Sequence, residues 1–151
     1  MYTDNYYKLD NPAWYSLTET HRHFASGDDT VKRYPVHIAP FVACRPGKQA
    51  ISTELDQWIT PGESFFLIGD TPGMPVRLPG YVMESRLDCL QMICTEKILS
   101  TGTDTIEELG EQHDKEMLTL VNLVQPGYYN PGTRQMGLWN PGQWSVDGNG
   151  G

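Results

Sequence analysis

The chain has 151 residues, a formal net charge of −8, 38% hydrophobic residues and 20% charged ones. That composition is too apolar and too weakly charged for a disordered chain, and the acidic balance argues against nucleic acid or an anionic membrane as a partner. No apolar run approaches the roughly 20 residues that span a bilayer, and Met1–Asp4 opens with neither a basic nor an apolar signal region, so a soluble, cytoplasmic domain is expected.

Asn11-Pro12 reads as a cap followed by proline at the first helical position. Trp14, Leu17, His21 and Phe24 recur at three- and four-residue steps, which predicts an amphipathic helix over 12–25. Val31–Tyr34 and His37–Cys44 read as strands, with Pro35 and Pro40 restricting them to edge or bulged positions. Residues 49–59 repeat as a helix through Ile51, Leu55, Trp58 and Ile59. Ser64–Ile68 is a short apolar strand, and the proline- and glycine-rich stretch 71–80 is a loop.

Tyr81–Thr95 reads as a long strand, apolar on both faces from Leu87 onward, as in a strand covered on two sides. Residues 100–104 form a polar boundary, followed by a short strand over Ile106–Leu109. Asp114 caps a helix through Val124, with Met117, Leu118, Val121 and Val124 on its buried side. Pro126-Gly127 ends that helix. Beyond it, 126–151 is rich in glycine and proline and has no clean period, and its ending Asp147-Gly148-Asn149-Gly150-Gly151 is expected to pack no core and hold no strand. The sum is an α+β fold: a mixed sheet flanked by helices. Three regions follow: an α/β unit over 1–99, the start of a second unit over 100–140, and a disordered glycine-rich tail over 141–151.

Chemical signatures are sparse. Cys89 and Cys94 fall on opposite faces of a strand and Cys44 lies far upstream, so all three read as small buried hydrophobes rather than zinc ligands. His21, His23, His37 and His113 stand at no metal-ligand spacing. No nucleophile elbow is present. No glycine-rich loop opens a helix to present the amide hydrogens a pyrophosphate needs. Arg134-Gln135-Met136-Gly137-Leu138-Trp139 begins like the Gln/Arg-x-x-Gly-x-Gly/Ala loop of acetyl-CoA enzymes. It puts Trp139 where the backbone must approach the ligand, and Asn140-Pro141-Gly142 follows in place of a helix.

Three stretches together carry a resemblance. They are Leu9-Asp10-Asn11-Pro12-Ala13-Trp14 with Leu17-Thr18 and His21; Lys32-Arg33-Tyr34-Pro35 with Ala39-Pro40-Phe41; and Met117-Leu118-Thr119-Leu120-Val121 with Gln125-Pro126-Gly127-Tyr128-Tyr129. In this order and spacing the chain resembles the N-terminal half of a bacterial branch of the GNAT N-acetyltransferases. In that branch a degenerate GNAT-like region precedes the acetyl-CoA-binding half.

The resemblance implies an α+β fold with that degenerate half over 1–99 and the start of the second half after it. It implies acyl transfer from acetyl-CoA to a primary amine, on a small molecule or a peptide, with no metal. Tyr128, Tyr129, Asn130 and Thr133 match the loop that usually borders the acceptor site, so they are the acceptor-pocket candidates. The family's coenzyme loop and its general-acid tyrosine have no counterpart, so no catalytic or cofactor-binding residue is assigned. The chain is expected to be a truncated form that does not bind acetyl-CoA and is inactive alone. Shifted by one base, codons for 144–151 permit Gly-Arg-Trp-Met-Ala-Met-Ala-Gly, which is similar to the family, so a frameshift or a sequencing error in a longer gene is the expected origin of the tail. The alternative reading is a non-catalytic α/β scaffold or partner-binding module, whose exposed sheet edge would favour self-association.

Overall fold

The computed structural model describes residues 4–48, 52–69, 78–93 and 109–137. Helices α1 (Pro12–Thr18), α2 (Ser52–Leu55) and α3 (Asp114–Val124) accompany strands β1 (Ser26–Gly27), β2 (Val31–Arg33), β3 (Phe41–Cys44) and β4 (Phe66–Leu67). Short 3-10 helices lie at Asp4–Asp10, Glu111–His113 and Thr133–Met136. The sheet runs β1-β2-β3-β4. β1–β2 and β2–β3 are antiparallel, and β3–β4 is parallel, with Arg33 opposite Val42 and Val42 opposite Leu67. This is the expected α+β class with a mixed sheet.

Asn11 does two jobs at the start of α1. Its Oδ1 accepts from the Trp14 amide at 3.3 Å, and its Nδ2 donates to the Cys44 carbonyl of β3 at 2.8 Å. The cap thereby fixes the helix to the sheet. A Cβ on Gly69 would stand 2.6 Å from that Asn11 Oδ1, so only glycine, at φ +132°, closes over the cap.

The helix stops earlier than its periodicity predicts. The Thr18 hydroxyl donates back to the Trp14 and Tyr15 carbonyls, at 2.9 and 3.2 Å. Such local bonds compete with helix propagation. The His21 amide instead donates to the Ser16 carbonyl at 2.8 Å, and 19–24 proceed as turns. His21 and Phe24 nonetheless stay on the core side, because successive turns return them to the face that carries Leu17.

Strand β3 is also shorter than predicted. Pro35 and Pro40 cannot donate to a ladder. Residues 36–38 form a turn, with the Ile38 and Ala39 amides donating to the Pro35 carbonyl at 2.9 and 3.1 Å. Within the predicted helix over 49–59, α2 covers Ser52–Leu55 and continues as turns; 49–51 lie outside the described residues.

Three buried clusters make the core. Val31, Val42, Cys44, Leu55 and Ile59 lie between the sheet and α2. Leu17, Tyr34, Ile38 and Ala39 lie between α1 and the bend. Ala13, Trp14 and Ala43 join α1 to β3. Each large side chain so buried contributes about 1.5–3 kcal/mol. Cys44 behaves as the small hydrophobe expected, and burial pushes its thiol up to about 11. Cys89 does not: it is exposed. Cys94 lies outside the described residues.

A further expectation is corrected. Residues 81–93 form neither strand nor helix, and Leu90 is 96% exposed. The alternation there is strand-like, but a strand needs a neighbour to bond, and among the described residues the sheet ends at β1 and β4 with 81–93 paired to neither. The segment just after α3 packs on the core, Met136 joining the cluster around Leu17 and Tyr34, while 147–151, expected to pack no core, lie outside the described residues. The boundary at 100–104, residues 94–95 and 106–108 of the predicted strands, and 138–151 lie outside the described residues. No described helix is long and apolar enough to cross a membrane.

Candidate functional site

The acceptor-pocket candidates lie on a strap, residues 128–136, laid across the bend at 34–39. Proline and glycine shape it: Pro126-Gly127 ends α3, and Pro131-Gly132 turns the chain into the last 3-10 helix. The strap meets the bend through three successive carbonyls. Asn130 Nδ2 donates to Val36 O at 2.7 Å, the Gly132 amide to His37 O at 3.0 Å, and Thr133 Oγ1 to Ile38 O at 2.5 Å. Thr133 Oγ1 also accepts from the Asn130 amide at 2.8 Å. A Cβ on Gly132 would stand 2.6 Å from His37 O, so glycine is needed there for close approach, not for its ordinary φ of −89°.

The four candidates therefore have different local roles. Asn130 and Thr133 spend their polar groups on holding the strap. Tyr128 stacks on Phe66 of β4, ring centroids 4.7 Å apart. The Tyr129 hydroxyl is buried and has no hydrogen-bond partner among the described residues. Burial, and then the Asp114 carboxylate, raise its pKa. Arg134 lies beside it, with Nε 2.8 Å from Asp114 Oδ1 and a terminal nitrogen 3.1 Å from Glu111 Oε1.

The first turn of α3 thus carries carboxylates. Asp114 and Glu116 stand in it, and Glu111 precedes it. These charges occupy the electrostatic position an anionic ligand would take at a helix N-terminus. The arrangement suits a cation better than a phosphate, and the Arg134 guanidinium fills that place for Glu111 and Asp114.

A second group of polar residues backs the strap. His21 Nδ1 lies 2.9 Å from Ser16 Oγ and 2.8 Å from Tyr34 Oη. The Met136 backbone lies near enough to the ring to favour its charged form, against the larger effect of burial. Burial raises the Tyr34 phenol and lowers His21. Sequence reasoning placed His21 on the apolar face of a helix but missed Ser16, because a five-residue offset is not a helical neighbour spacing. Met136 gave no signal within a stretch of prolines and glycines.

The depressed His21 pKa has a signed consequence. Its neutral form is favoured by folding, so its contribution is full above the ordinary imidazole value of 6.5 and is lost as pH falls through the lower native value. Asp28, held at about 2 chiefly by the Thr30 hydroxyl and also by the Thr30 and Val31 amides, acts only at more acid pH. Thermal melts between neutral pH and about pH 5 should show a falling midpoint in the native chain. In His21→Asn the slope over that window should largely vanish; an unchanged slope would assign it elsewhere.

His37 sits in the bend, where its carbonyl rather than its ring receives the strap. His113 Nδ1 accepts from the Gly110 amide at 3.1 Å, before α3. Among the described residues no group of three or more His, Cys, Asp or Glu side chains is placed to hold a metal ion. Compared with known protein families, curated proteins and solved structures, the chain matches none.

Proposed function

We propose that the chain forms the acceptor-side part of a GNAT-type N-acetyltransferase, acting on a primary amine in the cytoplasm with acetyl-CoA as the acyl donor. What supports the reading is one observation. Parts of the three stretches that carry the resemblance, far apart in sequence, come together. Leu17 of α1 packs with Tyr34 and Ala39 of the second stretch, and Phe41 of the second and Tyr128 of the third both pack against the Phe66 ring. His21 joins the first two through Ser16 and Tyr34, and Met136, just beyond the third stretch, packs on the Leu17 cluster. The Asp114 carboxylate near the Tyr129 hydroxyl is held by the Arg134 guanidinium, and an acceptor's ammonium group would compete with Arg134 for it.

In such a reaction the amine must lose a proton before its lone pair attacks the thioester carbonyl. The new N–C bond forms as the C–S bond breaks and coenzyme thiol leaves. Most of the rate comes from holding amine and thioester in line. The role of this part is to orient the amine. In this reading none of the described residues holds the coenzyme.

A scaffold role without catalysis is the second reading. It is favoured by Asn130 and Thr133, whose side chains bond backbone carbonyls rather than facing open space.

Nuclear magnetic resonance titration of the 151-residue chain with a panel of primary amines separates the two. The acceptor reading predicts saturable shifts at Tyr128, Tyr129 and Arg134, weakened in Asp114→Asn. A panel that moves none of these would leave the scaffold reading. Calorimetry with acetyl-CoA should give no saturable heat; tight binding would overturn the division of labour proposed for this part.

A further inference from the structure

Residues 82–92 are all exposed, including Val82, Met83, Leu87, Leu90 and Met92. Among the described residues none of their backbone groups makes a backbone hydrogen bond. The run is nonetheless anchored at one end. Tyr81 donates to Asp56 Oδ1 at 2.8 Å and packs edge-on against Phe65 at 5.8 Å. Eleven unpaired residues with alternating side chains, held out from a fixed point, form a template for strand pairing.

The charges in the run specify the partner. Arg86 and Asp88 stand one residue either side of Leu87, which is the central residue of 82–92. We propose that residues 82–92 pair antiparallel with the same residues of a second copy of this chain, about a two-fold axis at Leu87. Residues equidistant from Leu87 then oppose each other. Arg86 faces Asp88 of the second copy, and Asp88 faces its Arg86, so one operator makes two opposite-charge pairs. Val82 faces Met92 and Leu87 faces its own copy, which covers apolar side chains on both faces of the ladder.

The neighbouring same-face registers are excluded by the same charges. Sliding the pairing by two residues one way puts Arg86 against Arg86 and Glu84 against Asp88. Sliding it the other way puts Asp88 against Asp88. A parallel in-register pair stacks every charge on its like. Opposed like charges destabilise a sheet, and opposite ones stabilise it by a few tenths to about 1 kcal/mol each. An isologous contact of this kind is the ordinary way a chain meets itself. It extends the fold beyond the acetyltransferase reading and does not depend on it.

Within one chain Arg86 Nε also lies 3.2 Å from Asp88 Oδ1, both side chains being exposed, so the test must separate the two pairings. Sedimentation equilibrium over a dilution series should show reversible dimers for the native chain. Arg86→Glu alone and Asp88→Arg alone each create two repulsive pairs in a homodimer and should each weaken dimerisation about tenfold. Mixing the two variants restores both pairs in a heterodimer, so association should return toward the native level. An ion pair within one chain gives no such rescue. A native chain that stays monomeric at every concentration overturns the proposal, as does a dimer indifferent to either variant. So does failure of the mixture to associate. All these residues are exposed, and circular dichroism checks that each variant remains folded.

Discussion

Glu63→Ala is expected to destabilise the chain by about 3 kcal/mol, the largest loss from any single charge here. Arg33 lies on β2 with its side chain only 9% exposed, and Glu63 lies just before β4 with 13%. Two guanidinium nitrogens reach the Glu63 carboxylate, and the group also donates to the Trp58 and Tyr34 carbonyls. Glu63 accepts in addition from the Thr60 amide at 3.1 Å. The pair therefore ties the sheet to the turn after α2.

Removing the carboxylate leaves a buried cation with two neutral acceptors. That is costly because the charge is neither hydrated nor paired. For a chain of this length about 3 kcal/mol lowers the melting temperature by roughly 6–12 °C. Replacing both partners, as Arg33→Met with Glu63→Leu, should cost much less than Glu63→Ala. Chemical denaturation of the three variants checks this; a single variant as mild as the double would deny the pair its structural role. The hydrogen bonds from Arg33, with lesser help from the Thr60 amide and the Arg33 charge, hold the Glu63 carboxyl below its ordinary 4.5. Its contribution is therefore complete above that value and fades as pH drops through the native one.

Gly132→Ala is the second large effect, expected at about 2–3 kcal/mol. The added methyl would meet the His37 carbonyl oxygen, a backbone atom that no side-chain rotation moves away. The strap must lift, and its neighbouring bonds from Asn130 and Thr133 loosen with it. Thr133→Val keeps the side-chain shape and removes only the hydroxyl bonds, so it should cost about 1–2 kcal/mol. Because both changes free the same strap, the double variant should lose less than the sum. Strict additivity, measured by denaturant unfolding, would mean that the strap does not act as one unit.

Much of the fold was legible because local chemistry and tertiary packing agree. Asn11-Pro12 starts α1, and Val31–Arg33 and Phe41–Cys44 are strands. Asp114 stands in the first turn of α3, with His113 at the cap, and the predicted buried side is at most half-buried, Val124 being exposed, because among the described residues no core cluster forms against this helix. Boundaries were misjudged where a side chain competes with its own backbone. Thr18 bonds back into α1 and ends it seven residues before the periodicity does. Pro35 and Pro40 turn half of a predicted strand into the bend that receives the strap.

The run 82–92 was misread for a different reason. Alternation reports what a segment suits, not whether a partner strand lies beside it. The strap was missed because its stability comes from three backbone carbonyls almost a hundred residues away in sequence, and no periodicity records such bonds. Of the acceptor candidates, residue type alone could not separate Asn130 and Thr133, which hold the strap, from Tyr129, whose hydroxyl is left without a partner.

The union of strap, bend and α1 is tested most directly by amide hydrogen exchange at Gly132. Its N–H is bonded to His37 O, as the Tyr34 N–H is bonded to Phe41 O between β2 and β3. If the strap belongs to the folded unit, the Gly132 amide exchanges slowly, with protection comparable to that of Tyr34. Exchange of Gly132 at the rate of an unprotected amide, while Tyr34 stays protected, would contradict the account.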